Sequence, residues 1–162
     1  MSIVLTRIDN RLIHGQVLES WVPFTKANCI VVADDRVAGL PFQRTLMAAA
    51  VPRGIRLFIG TTEEVARGFA SHEFDSLRVL LLFSSAEDSL IAYRLGVAFT
   101  ELNLGNMHGG EGKVRLSCTL AFNSKDVETL QALEDEGVKI VAQCFPSDRT
   151  QPWKEMALKW KA

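Results

Sequence analysis

Short apolar runs alternate with helical patterns along most of the chain, and this alternation constrains the fold more than any other feature. The runs expected to be strands are residues 3–8, 29–33, 56–60, 78–83, 99–104, 114–118 and 138–143. The run Val79-Leu80-Leu81-Leu82-Phe83 is apolar throughout, which is typical of a strand covered on both faces of a parallel sheet. Strand–helix–strand repetition predicts an α/β fold: a doubly wound, mainly parallel open sheet of about seven strands flanked by helices.

The helical segments lie between these runs and carry ordinary start and stop signals. The expected helices begin near Gly15, Leu40, Thr61, Ser85 and Asn123, and an amphipathic segment follows at residues 153–160. A chain of 162 residues with 48% hydrophobic content is long enough to bury a sizeable core. We therefore expect one domain that spans residues 1–162.

Charge and composition exclude several classes of function. The chain has 18 basic and 19 acidic residues, so a nucleic-acid binder that works through a bulk basic field is not expected. No window approaches the roughly 20 apolar residues of a membrane span, and charges from Arg7 onward interrupt any signal peptide. The sequence contains no Cys-x-x-Cys pair, Walker motif or dinucleotide fingerprint. We expect neither a metal nor a nucleotide cofactor.

The loop after the first strand carries the residues best suited to chemistry. In an open doubly wound sheet, ligands bind outside the carboxyl ends of the strands. Here that loop holds Asp9, Arg11 and His14, followed by a helix start whose free N–H groups belong to Gly15, Gln16 and Val17. A neutral imidazole is a nucleophile toward phosphorus, an arginine can pair with phosphate oxygens, and an aspartate can orient either group. These residues predict a phosphohistidine site; a partly buried loop histidine beside surface arginines is the alternative.

Other polar residues are expected at the same edge of the sheet. Asp34 and Asp35 follow the second strand and either orient the first loop or cap a helix. Ser84 and Ser85 follow the fourth strand and either donate to phosphate or cap a helix. Asn103 and His108 are placed at the rim from the fifth strand. A metal site built from His14, Asp34 and His108 lacks any supporting ligand spacing.

The stretch Arg7-Ile8-Asp9-Asn10-Arg11-Leu12-Ile13-His14-Gly15-Gln16-Val17, followed by Trp21, resembles the active-site loop of one protein family. This family is the B component of the mannose/fructose/sorbose sugar phosphotransferase systems of bacteria. The loop matches the family pattern at every position except Asn10, where the pattern has Asp. Weaker similarity continues through residues 31–38, 101–117 and 124–148, so the resemblance covers nearly the whole chain.

The resemblance implies a function and a set of partners. His14 would accept a phosphoryl group from a IIA component and pass it to a sugar entering through membrane IIC and IID components. Arg11 would steady the phosphate, Asp9 would be the loop aspartate, and no cofactor would be needed because the phosphate arrives activated. The protein would be cytoplasmic and held at the membrane only through those partners; a homodimer is left open, since Trp153 and Trp160 in the tail could mark a partner face.

Two other functions stay open on the sequence. A regulatory phosphoacceptor would use the same His14 chemistry as a signal, without a sugar. A non-catalytic, flavodoxin-like small-molecule-binding domain would bind a cofactor and be indifferent to His14. Asn10, Arg36, Ser84-Ser85 and the Gly105–His108 region depart from the family pattern, which puts partner specificity in question.

Overall fold

The computed structural model describes residues 2–161 and contains nine strands. Their bounds are β1 (Ile3–Asp9), β2 (Cys29–Ala33), β3 (Arg56–Gly60), β4 (Val79–Phe83), β5 (Glu101–Asn106), β6 (Val114–Arg115), β7 (Ala121–Phe122), β8 (Lys139–Ala142) and β9 (Gln151–Pro152). Seven of them form one sheet in the order β3-β2-β4-β1-β5-β8-β9. All neighbours in it are parallel except β9, which is antiparallel to β8. The predicted doubly wound, mainly parallel sheet is confirmed.

The strand predicted at residues 114–118 is wrong in length and in place. Only Val114 and Arg115 are extended, and they pair with β7 in a separate two-stranded hairpin. The chain turns immediately afterwards, because the Ser117 hydroxyl accepts hydrogen bonds from the amides of Thr119 and Leu120. The seventh strand of the main sheet is instead β9, whose two residues are too few to give a sequence signal.

Seven helical segments flank the strands. Residues 15–25 form α1, whose middle, Val17–Trp21, winds as a π-helix and whose last turn, Val22–Thr25, is α-helical. The others are α2 (Asp35–Ala38), α3 (Pro41–Ala50), α4 (Thr62–Ala70), α5 (Ala86–Arg94), α6 (Ser124–Asp135) and α7 (Trp153–Lys161). Within the described part of the chain, no helix is long and apolar enough to cross a membrane.

The sheet separates two hydrophobic cores because alternate strand residues point to opposite faces. On one face, Val17 and Trp21 of α1 pack over Leu80 and Leu82 of β4. The opposite face holds the larger core, to which α4, α5, α6 and α7 contribute. Trp153 is fully buried in that larger core, so the prediction that it marks a partner surface is wrong.

The chain leaves the sheet in opposite directions next to β1. After β1 it enters α1 on one face, and after the neighbouring β4 it enters α5 on the other face. Two helices that diverge in this way open a crevice at the carboxyl end of β1. Asp9 is the last residue of β1 and therefore lies at the floor of that crevice.

Candidate functional site

A tight turn shapes the loop between β1 and α1. The amide of Leu12 donates to the carbonyl of Asp9 at 2.9 Å, and the amide of Arg11 donates to Asp9 Oδ1 at 3.1 Å. Leu12 takes a left-handed φ of 58°, which costs a non-glycine residue roughly 1–2 kcal/mol. Its side chain is buried in the α1 core, and burial of a leucine contributes about 1.5–3 kcal/mol. The core therefore holds this strained turn in one shape.

The His14 ring is fixed by the Asp9 carboxylate. His14 Nε2 lies 2.9 Å from Asp9 Oδ2, and only 14% of the His14 side chain is exposed. Because a carboxylate can only accept, the neutral ring carries its proton on Nε2. Nδ1 then keeps a free lone pair, which is the tautomer a nucleophile needs.

Asp9 is a buried carboxylate with several donors around it. Burial alone would raise the pKa of Asp9, but hydrogen bonds from His14 and from Asn106 Nδ2, at 3.0 Å, outweigh it and bring the pKa below its ordinary value. Asp9 is therefore ionised at neutral pH. Its contribution to stability is fully present above the ordinary carboxyl pKa of about 3.9 and is lost as the pH falls through the lower folded value.

Arg7 is a fully buried cation that supports this carboxylate from below. Arg7 Nε lies 3.7 Å from Asp9 Oδ2, and the guanidinium donates to Asn103 Oδ1 and to the carbonyls of Gln143, at 2.8 Å, and Cys144, at 3.1 Å. Burial lowers the pKa of Arg7 to about 10, partly offset by the charge of Asp9, so the side chain stays charged at neutral pH. Arg7 thus ties β1 to β5 and to the segment after β8.

The guanidinium of Arg7 is held between a ring and a glycine. Its Cζ lies 4.8 Å from the centroid of the Trp21 ring, which is within cation–π range. Trp21 Nε1 in turn donates to the Cys144 carbonyl at 3.0 Å. On the other side, a Cβ at Gly105 would overlap the guanidinium. The π-helical turn of α1, which contains Trp21, therefore contributes directly to the site, as π-helical turns often do.

Gly105→Ala should destabilise the protein, because the added methyl group would displace Arg7 from its hydrogen bonds. Overpacking of this kind typically costs about 1–3 kcal/mol. Gly109→Ala, in the same segment, is the matched control, since a Cβ there meets nothing within 4 Å. Thermal unfolding followed by circular dichroism measures both variants. Equal midpoints for the two variants would contradict the tight packing inferred at Gly105.

Arg11 lies at the mouth of the crevice, with its side chain exposed. Its Nη2 donates to Gln16 Oε1 at 2.9 Å, and its Nε lies 3.7 Å from Asp9 Oδ1. Gln16 Nε2 donates to the Cys144 carbonyl, which holds the amide in place. With a neutral His14, the two arginines and Asp9 give the cluster a net charge of +1. This cluster would attract a dianion.

The start of α1 faces open space. The first intrahelical hydrogen bond runs from the amide of Leu18 to the carbonyl of His14 at 3.0 Å, so the amides of Gly15, Gln16 and Val17 precede it. A Cβ at Gly15 would meet nothing within 4 Å. The amides at the start of α1 thus follow His14 directly, with open space beside Gly15 but with Val17 buried, and phosphate binding by them stays a prediction.

Asp34 and Asp35 accept hydrogen bonds at helix starts, which is one of the two roles predicted for them, and among the described residues no hydrogen bond joins either carboxylate to the first loop. Asp34 Oδ1 accepts from the amide of Val37 at 2.8 Å and caps α2. Asp35 Oδ1 accepts from the amide of Thr62 at 2.8 Å and from its hydroxyl. Both carboxylates lie at the predicted edge of the sheet, but they accept hydrogen bonds from free amides at the starts of two helices.

Of the remaining predicted residues, one hydrogen-bonds to Arg7 and the others lie at the start of α5 or in the loop after β5. Asn103 lies below the crevice and accepts from Arg7. Ser85 caps α5 through the amide of Asp88, and the Ser84 hydroxyl lies 3.4 Å from Asp88 Oδ2, so phosphate binding by either serine stays a prediction. His108 is exposed in the loop after β5, and no hydrogen bond joins it to His14 among the described residues.

Sequence reasoning gave no role to Arg7, Asn106, Gln143 or the Cys144 carbonyl. One signal was available: an arginine in an otherwise buried strand has to be paired, because an isolated buried charge is too costly. The partners themselves carried no signal. Gln143 and Cys144 are 136 and 137 residues away from Arg7, and they act through backbone carbonyls.

The chain is similar to known proteins over nearly its whole length. A family model described as "PTS system sorbose subfamily IIB component" matches residues 3–162. The chain is 35% identical over 147 residues to the N-acetylgalactosamine-specific phosphotransferase enzyme IIB component 2 of Escherichia coli (strain K12), covering 91% of this chain and 93% of that protein. It is 28% identical over 156 residues to the fructose-specific EIIB component of Bacillus subtilis (strain 168), covering 96% of each.

A solved structure shows the same likeness in three dimensions. The crystal structure of the IIBSor domain of the sorbose permease from Klebsiella pneumoniae superposes with a TM-score of 0.93 at 30% sequence identity. The match covers 98% of both chains. Nearly the whole architecture therefore lies within the matched region.

Proposed function

Because the chain belongs to the sorbose subfamily of IIB components of the sugar phosphotransferase system, we propose that His14 is its phosphoacceptor and that Nδ1 is the atom phosphorylated. Components of this family accept a phosphoryl group from a IIA component and transfer it to a sugar, and this chain is a phosphotransferase of that kind. The proposal concerns the residues and atoms that carry out the step.

One observation supports the assignment of the atom: His14 Nε2 is hydrogen-bonded to Asp9 Oδ2 at 2.9 Å, which leaves Nδ1 free. In the accepting step, the lone pair of Nδ1 attacks the phosphorus of the donor phosphohistidine. The P–N bond of the donor breaks, its imidazole leaves with the electron pair, and a new P–N bond forms on His14. The proton stays on Nε2, where the Asp9 carboxylate stabilises the positive charge that the ring gains.

Arg11 and the start of α1 would hold the phosphoryl group once it arrives. The planar fork of Arg11 can pair with two phosphate oxygens, and the amides of Gly15, Gln16 and Val17 are further donors. Transfer of a phosphoryl group depends mainly on position and on stabilisation of negative charge. A cluster with a net charge of +1 and preset donors supplies both.

The experiment that tests the proposal is nitrogen-15 NMR of the protein labelled at histidine, before and after phosphorylation by a phosphorylated IIA component. We expect one phosphohistidine, at His14, with phosphorus coupled to Nδ1 and with the free ring protonated at Nε2. Phosphorus on Nε2 would show that Asp9 releases the ring and would contradict the proposed tautomer. Phosphorus on any other residue would contradict the site.

Asp9→Asn should slow phosphorylation without unfolding the domain. The asparagine Oδ1 can still accept from Nε2, but it cannot stabilise positive charge on the ring. A carboxylate that supports a metal-ligating imidazole is typically worth about 10–100-fold in activity, and we expect an effect of similar size here. The measurements are the single-turnover rate and the ratio of the two His14 ring tautomers, read by nitrogen-15 NMR. If the role of Asp9 were purely structural, the substitution would leave the tautomer ratio unchanged. An unaltered rate would remove Asp9 from the proposal.

IIB components work with a IIA component and with membrane IIC and IID components, and we propose the same partners for this chain. We propose that the chain forms one domain over residues 1–162 and works at the cytoplasmic face of the membrane, attached only through those components. The homodimer left open by the sequence stays a prediction that sedimentation can test. Relatives of this chain are named for N-acetylgalactosamine, fructose and sorbose, so its own sugar has to be found by transfer assays with membranes that contain the IIC and IID components.

A further inference from the structure

Helix α3 is an amphipathic helix whose apolar residues are mostly uncovered. None of its residues is buried, and only Met47 is partly covered. Phe42 is 73% exposed and Leu46 is 50% exposed. These two residues are four apart and lie on one face of the helix. Because a helix is normally stabilised by packing its apolar face against a core, an uncovered face of this kind marks an interaction surface.

The amino end of α3 lies at the same edge of the sheet as His14. Helix α2 starts directly after β2, and its Asp35 binds Thr62 at the carboxyl end of β3. Only two residues separate α2 from α3, and Arg44 Nη1 donates to the Ala38 carbonyl at 3.1 Å. The first turns of α3 are thereby held beside α2 at that edge.

The segment that contains α3 is basic, although the whole chain is not. The stretch RVAGLPFQRTLMAAAVPRGIRLFIGTT, residues 36–62, holds four arginines and no acidic residue, whereas the whole chain has a net charge of −1. Arg36 and Arg44 are exposed at the rim end of this stretch. A phosphorylated donor brings a charge near −2 with its phosphohistidine, and these arginines complement it.

A second exposed aromatic lies on the other side of His14. Phe145 follows β8 and is 47% exposed. Pro41 and Thr45 of α3 line a cavity with Leu57 of β3, so this helix lies on the β3 side of the sheet. Neighbouring strands are about 4.8 Å apart, so β3 and β8, which are three and two strands from β1, lie roughly 24 Å from each other. A standard interface covers about 800 Å² on each partner, a patch roughly 30 Å across. One partner centred on His14 can therefore cover both flanks.

We infer that Phe42, Leu46, Arg36 and Arg44, with Phe145 on the far flank, form the surface on which the phosphorylated IIA component docks. This inference rests on the proposed function, because transfer requires the donor histidine to reach His14 and hence to cover the rim around it. The exposed aromatics supply the apolar contacts of the interface, as Phe often does at such surfaces. The arginines steer the charged donor.

Transfer kinetics with two phosphate donors test the inference. The first donor is phosphorylated IIA, and the second is phosphoramidate, a small molecule that needs no docking surface. Phe42→Ala should raise the KM for IIA roughly tenfold or more, as expected when a buried aromatic anchor is removed, and leave kcat and the phosphoramidate rate unchanged. Leu158→Ala, which removes a 70% exposed leucine from α7, is the matched control and should leave the KM unchanged.

Charge reversal gives an independent measurement. Arg36→Glu should raise the KM for IIA and weaken its dependence on salt, whereas Lys159→Glu, a charge reversal at an exposed residue of α7, should do neither. The phosphoramidate rate of both variants should match that of the unsubstituted protein.

The possible results separate the docking surface from the function. If the unsubstituted protein takes up phosphate on His14 from neither donor, the proposed function fails. If it accepts phosphate from both donors and Phe42→Ala keeps the original KM, the function stands and the docking surface is wrong. A slower phosphoramidate reaction in Phe42→Ala also overturns the inference, because the change would then act on His14 itself. An altered sedimentation coefficient with an unchanged KM would assign the surface to a second copy of the chain instead.

Discussion

His14→Ala should take up no phosphate from a phosphorylated IIA component, while the domain stays folded, with a midpoint of thermal unfolding about 2–12 °C below that of the unsubstituted protein. The loss is complete because the imidazole is the proposed nucleophile, and neither Asp9 nor Arg11 can replace it. The fold should survive because the ring makes one hydrogen bond to Asp9, which keeps Asn106 and Arg7 as partners. Loss of one hydrogen bond of this kind costs about 1–3 kcal/mol.

The measurement is the stoichiometry of acid-labile phosphate in each variant after incubation with the complete phosphorelay. His108→Ala is the control, since His108 is an exposed histidine in the loop after a neighbouring strand. This variant should incorporate phosphate on His14 normally. Normal stoichiometry in His14→Ala would show that the acceptor is another residue. Loss of phosphate in His108→Ala would restore the rim role predicted for that residue from the sequence.

Arg7→Leu should be the most destabilising single substitution at the site. It leaves Asp9 as a buried carboxylate without its buried cation, and it removes the donor to Asn103 and to the carbonyls of Gln143 and Cys144. Removing one partner of a buried pair typically costs about 3–5 kcal/mol, a large part of the roughly 5–15 kcal/mol by which a domain is stable. We expect the midpoint of thermal unfolding to fall by about 6–20 °C.

Two further variants separate charge from geometry at Arg7. Arg67→Leu removes an exposed arginine that pairs with Glu63 four residues earlier, and such pairs contribute at most about 1 kcal/mol. Arg7→Lys keeps the charge beside Asp9 but loses the planar fork, so its midpoint should lie between those of Arg7→Leu and the unsubstituted protein. If Arg7→Leu is no less stable than Arg67→Leu, the buried cluster does not hold the site together.

The position of the loop that holds His14 was predictable because it depends on local pattern. Alternating strands and helices identify the edge of the sheet where loops carry ligands, and the first of those loops contains His14 and Arg11. The prediction of a strand at residues 114–118 was wrong, because it rested on local pattern alone. An apolar alternation over five residues looks like a strand, but Ser117 turns the chain after Arg115.

The roles of the residues around the loop were less predictable, because one carboxylate can accept a hydrogen bond from any of several nearby donors. Asp34 and Asp35 lie at the expected edge, yet two helix starts take their carboxylates. A cap needs only an acceptor a few residues from a free amide, so it competes well with a more distant role. Sequence reasoning kept both readings of these residues, and only the structure decided between them.

The sequence by itself determined the layered fold and the position of the loop that holds His14, the proposed nucleophile, since each follows from periodicity or from adjacent residues. Only the tertiary structure decided which nitrogen of His14 is free and what holds Asp9 beneath it. The support comes from Arg7, Asn106 and the carbonyls after β8, which lie far apart along the chain. A contact between a side chain and a distant backbone carbonyl leaves no trace in residue type, because every residue has a carbonyl; it exists only once the parallel strands are set side by side.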